Sequence, residues 1–98
     1  MNKKLRSEAA DQLFDAILSL QTREECYAFF EDICTVNELL SLSQRLEVAG
    51  MLWEKKTYLE IVEKTGASTA TISRVNRSLN YGNDGYELVL GRIEETKE

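Results

Sequence analysis

An all-α protein of about six helices is predicted by three features of this 98-residue sequence. It contains no proline, which small β proteins need at turns and helix interiors reject. Apolar residues recur at helical spacing, and Ser or Thr stands just before several of these runs, often with Glu three residues later. Composition suits a folded chain, with 43% apolar and 30% charged residues. The length fits one domain, residues 1–98, with no internal repeat, low-complexity segment or interdomain linker.

The elements follow in order. Ser7 opens a first helix over 9–20 that gathers Ala10, Leu13, Phe14, Ile17 and Leu18 on one face. Thr22 with Glu25 forms a capping-box pattern, in which each side chain satisfies the other's backbone N–H, and Thr35 with Glu38 and Thr57 with Glu60 repeat it. These starts predict helices near 23–32, 36–54 and 58–65. Gly66 supplies the positive φ that ends the third of them. Ser68 caps a helix over 69–81, the stretch NYGNDG breaks it, and YELVLGRIEETKE forms the last helix. Leu39, Leu42, Leu46, Ala49, Leu52 and Trp53 read as core or subunit-interface residues. With Phe29, Phe30 and Leu40 they are more bulk than so short a chain can enclose, which predicts a homodimer.

Several function classes are disfavoured. No run approaches the roughly 20 apolar residues of a membrane span. The start MNKKLRSEAADQ lacks an apolar secretion core, so a cytoplasmic location and no membrane partner are expected. Histidine is absent, and Cys26 and Cys34 are the only cysteines, a poor metal set without a Cys-x-x-Cys pair. Among Tyr27, Phe29, Phe30, Ile33 and Val36, both thiols read as small buried hydrophobes. No nucleophile–base pair can be assembled, so neither catalytic residues nor a metal are expected.

Residues 58–81 carry the functional signal. Two helices joined at Gly66 match a helix-turn-helix, in which the first supports a second that lies in the DNA major groove. Ile61, Val62, Ala67, Ile72, Val75 and Leu79 can clamp the pair. At about 100° per residue, Ala70, Ser73, Arg74, Arg77 and Tyr81 fall on the opposite side of the second helix. From Lys64 to Asn83 there are three cations and no acid, although the chain carries a net charge of −5. Phosphates repel carboxylates, while small and hydroxyl side chains can approach base edges. DNA binding is the leading reading. A helical dimer that binds another protein, without a DNA role, is the alternative.

The segment Thr65-Gly66-Ala67-Ser68-Thr69-Ala70-Thr71-Ile72-Ser73-Arg74, followed by Ser78-Leu79, resembles the helix-turn-helix of the tryptophan operon repressor. LSQRLEVA, TGASTATISRV and LNYGNDGYE extend the likeness to the Trp-repressor-like YerC/YecD group over roughly residues 25–95. The resemblance implies an intertwined all-α homodimer that regulates transcription by binding double-stranded operator DNA. It implies that Thr69, Ala70 and Ser73 face base edges, several through water, and that Ser68, Thr71, Asn76, Arg77 and Tyr58 approach phosphates. Leu59 and Val62 depart from basic positions of the repressor, so its operator need not transfer. The repressor's ligand, L-tryptophan, stacks between two arginines beside a glycine. Arg74 matches one arginine and also projects from the DNA-facing side. The other falls on Gln44, with Arg45 turned about 100° away, and Val75 stands at the glycine. This pocket, Gln44, Arg45, Arg74 and Val75, is therefore expected to be filled by protein and to use no L-tryptophan cofactor.

Overall fold

A computed structural model describes residues 5–96 and holds six α-helices, with no strand among the described residues. They are α1 (Glu8–Leu18), α2 (Arg23–Ile33), α3 (Val36–Trp53), α4 (Tyr58–Thr65), α5 (Thr69–Tyr81) and α6 (Gly85–Thr96). Every start expected from a hydroxyl cap is present. Ser7 accepts from the Ala10 N–H, Thr22 from Glu25, Thr35 from Glu38, Thr57 from Glu60 and Ser68 from Thr71. The reciprocal bond closes the boxes at Thr35–Glu38 (2.8 Å) and Thr57–Glu60 (3.0 Å). At α2 the Glu25 carboxylate reaches one residue further and accepts from the Gln21 N–H instead. The last two residues of the expected final helix, 97 and 98, lie outside the described residues.

The chain divides into two compact units, and the division falls inside α3, between Leu39 and Leu40. In the first unit no residue of α1 or α2 is buried. Phe29 and Phe30 meet edge to face, with centroids 5.6 Å apart. Phe14, Leu18, Ile33 and Val36 are exposed, Leu18 to 80% and Val36 to 75%. The expected burial of the thiols is not seen: Cys26 is exposed and Cys34 half-buried. Helical periodicity marks an apolar face, but two short helices do not by themselves provide what covers it.

The second unit has a core of Val48, Ala49, Ile61, Ala67, Ile72, Val75 and Leu90. Met51, Leu52, Trp53, Val62, Leu79 and Tyr86 pack around it. Two backbone features turn the chain between its helices. Lys55, at φ 65°, ends α3, with its N–H on the Leu52 carbonyl and the Lys56 N–H on that of Met51. Gly66, at φ 71°, ends α4 as the capping pattern predicts. The Trp53 indole N–H donates to Glu94 at 3.3 Å, tying α3 to α6.

Candidate nucleic-acid interface

Residues 58–81 form the expected α4–turn–α5 pair. The clamping set behaves as its spacing demands: Ile61, Ala67, Ile72 and Val75 are buried, and Val62 and Leu79 are half-buried. Burying that stripe points the opposite side of α5 outward. Thr69, Ala70, Ser73, Arg74 and Arg77 are all exposed. Thr71 and Asn76 flank that face and are half-buried; Ser68 and Tyr58 are exposed at the two helix starts. Leu59 is also exposed beside Tyr58, where a cation would serve DNA better.

The start of α5 differs from the other helix starts. Each of α1, α2, α3, α4 and α6 carries an acidic residue in its first turn, and α5 carries none. Its cap is made of neutral hydroxyls. Ser68 Oγ accepts from the Thr71 N–H at 3.1 Å and donates to Thr71 Oγ1 at 3.0 Å. The partial positive charge of the helix N-terminus is therefore not offset locally and is offered outward, toward an anion. Further along, Asn80 Nδ2 donates to the carbonyl and to Oδ1 of Asn76, each at 3.0 Å. That leaves the Asn76 amide N–H groups available as donors, the polarity a phosphate needs.

Tyr81 is 87% exposed at the end of α5, in one i, i+4 row with Ser73 and Arg77. The helical projection placed it on the outward face, yet the family's motif gave no reason to number it among the contacts.

Gln44, Arg45, Arg74 and Val75, expected to share a pocket, do line one cavity of about 320 Å³. Ser41, Thr71, Ser78 and Tyr86 complete its wall, which contains two arginines and no carboxylate. Two expectations are corrected here. Arg45 is not turned away: it lines the cavity, with Nη2 donating to Ser41 Oγ at 3.3 Å, because its long side chain spans the 100° offset of its Cα. Nor does Val75 fill the space. It is 3% exposed and packs into the core, and the cavity remains open beside it. Gln44 is engaged elsewhere, its Nε2 donating to the Thr65 carbonyl at 3.2 Å.

Two glutamates hold charge at helix starts. Glu38 and Glu60 are kept below the usual carboxylate range, chiefly by the backbone N–H of Thr35 and Thr57 and then by those residues' hydroxyls. Among the described residues, no group of three or more His, Cys, Asp or Glu could hold a metal ion. No described helix is long and apolar enough to cross a membrane.

The family model of the Trp repressor protein matches residues 8–94. The uncharacterized protein YerC of Bacillus subtilis (strain 168) is 64% identical over 94 residues, covering 96% of this chain and 90% of its own. A crystal structure of a TrpR-like protein from Eubacterium eligens ATCC 27750 superposes with a TM-score of 0.92 at 69% identity, covering 95% of this chain and 96% of that one. A Trp repressor candidate from Staphylococcus aureus gives 0.91 at 61% identity, over 94% and 92% of the two chains.

Proposed function

The chain belongs to the Trp repressor protein family, and on that premise we propose that it is a homodimeric, sequence-specific transcriptional regulator, a repressor, acting through α5. One observation carries this reading: the outward face of α5, including its first turn, presents cations, hydroxyls and backbone donors with no carboxylate. In a chain of net charge −5 such a face needs a reason, and a polyanion supplies one. Binding to genomic fragments against a random-sequence control, read by gel shift, tests it. Selective retardation is expected; no shift with any duplex would refute it.

The exposed apolar faces support the dimer. Phe14, Leu18, Ile33 and Val36 in one unit, and Leu40, Leu42, Leu46 and Val89 in the other, are left uncovered by a single chain. At about 25 cal/mol per Å² of apolar surface, covering them in an interface of ordinary size rivals the whole stability of a small domain. Sedimentation at micromolar protein should return the dimer mass. An intact fold at monomer mass would overturn this. The alternative, a helical dimer that binds another protein without a DNA role, is favoured by the same faces where they exceed what the dimer covers, and on it DNA is not retarded.

L-tryptophan is not the effector on this reading. Val75 adds a stiff branched side chain where the repressor has glycine, and Gln44, at the position of its second stacking arginine, is turned to the Thr65 carbonyl. Arg45 and Arg74 both line the cavity, which restores positive charge to it but not the open backbone edge beside a flat ring. Calorimetry with L-tryptophan should give no saturable heat at tens of micromolar, and the amino acid should leave DNA binding unchanged. Saturable binding that tightens DNA binding would refute this.

A further inference from the structure

We infer that Gln44 is the positioning residue that sets the aim of α5, a role that rests on the DNA-binding reading above. Burial of Ile72 and Val75 fixes which side of α5 faces outward; the tilt at which α5 leaves α4 is set in the turn Thr65–Gly66–Ala67. Packing holds only part of it: Ala67 is buried, but a side chain at Gly66 would meet nothing within 4 Å. Hydrogen bonds hold the rest. Thr65 Oγ1 donates to the Ile61 carbonyl at 2.8 Å and accepts from the Ala67 N–H at 3.1 Å, and the Gly66 N–H reaches the Val62 carbonyl at 2.9 Å. All of these are local to α4 and the turn. Gln44 adds a bond of another kind, reaching from α3, 21 residues away in sequence, to the Thr65 carbonyl. That carbonyl lies in the last turn of α4, where no intrahelical donor remains for it. The bond is partly buried, so water competes poorly for either group. It fastens the turn to the longest helix of the second unit.

Leverage makes such a bond matter to recognition. Rising about 1.5 Å per residue, α5 carries Ser73 and Arg77 well beyond the turn. A rotation of about 10° there moves a group about 10 Å away by nearly 2 Å, enough to lose a hydrogen bond to a base edge. Attraction to phosphates tolerates such a shift far better, because it does not depend on alignment. Loss of Gln44 should therefore cost discrimination more than overall attraction.

The test uses the full chain and Gln44→Met, which keeps the length of the side chain and removes its donor. Two probes are needed: the fragment that the wild type selects from a random-sequence duplex pool, and the unselected pool. The variant is expected to lose about tenfold in affinity for the selected fragment and only a few-fold for the pool. Amide exchange should quicken at Gly66 and Ala67 while Val48 and Ile72 stay protected. Wild-type preference with wild-type turn protection would overturn the proposal. So would a uniform loss of protection through the core with a lowered melting temperature, which marks a merely structural side chain. If the wild type binds no duplex, the DNA-binding reading fails on its own, and exchange at the turn still judges the Gln44 tie.

Discussion

The two helices of the 58–81 pair begin almost alike and end up suited to opposite surroundings. Helix α4 starts with Thr57 and, three residues on, Glu60; α5 starts with Ser68 and, three residues on, Thr71. Both caps satisfy the same backbone N–H, at 3.1 Å in each case. In α4 the partner brings a negative charge that sits on the positive end of the helix; in α5 it brings a hydroxyl. Local helix stability and surface electrostatics are thus separable. A neutral cap starts the helix nearly as well as a charged one and leaves its end free to attract an anion.

The sharpest way to break this contrast is to write the α4 start into α5. Thr71→Glu completes the capping box, so melting should hold or rise slightly, while affinity for DNA should fall by about tenfold or more through repulsion of phosphates. Retained affinity in a filter or anisotropy assay would mean that the neutral start of α5 does not face DNA. Next in size is Arg77→Ala, expected to weaken binding to every duplex several-fold and to lower the salt slope by about one. Ser73→Ala or Thr69→Ala should instead shift preference among sequences with the slope kept, a few-fold at most when water lies between. Equal behaviour of the charged and hydroxyl variants would erase the division between phosphate and base contacts.

The smallest expected effect is with pH. Glu60 and Glu38 titrate below the usual glutamate range in the folded chain because each accepts hydrogen bonds as a carboxylate. Their folded values lie under their unfolded ones, so their stabilising contribution is present above the unfolded value. It is lost as pH falls through the depressed folded value. The backbone N–H groups of Thr57 and Thr35, whose bonds the two carboxylates accept, should lose protection relative to their intrinsic exchange rates on acidification through that window. The start of α5, capped by hydroxyls alone, should not change in step.

Much of the helix order was legible because it is written locally. A hydroxyl three residues before Glu marks a start wherever it falls, and the stripe Ile72, Val75 and Leu79 orients α5 without reference to anything outside it. What escaped was set at longer range. The exposure of Cys26 depends on what covers α2, which no periodicity encodes. Arg45 was placed by the angle of its Cα, and a side chain that long reaches around that angle. The Gln44 bond joins residues 21 positions apart and leaves no local pattern. Tyr81 lay on the right face, yet the family's motif gave it no role.

The acid-free stretch from Lys64 to Asn83 is also fenced. Glu60 and Glu63 precede it, Asp84 and Glu87 follow it, and all four are exposed. On the DNA-binding reading proposed above, such a border would work as a guard rail. A duplex that ran past either end of the acid-free stretch would meet carboxylates and be pushed back. A uniformly basic protein lodges on DNA in many poses and leaves each slowly. A fenced one would be shed quickly from wrong poses and wrong sites, trading grip for a faster search.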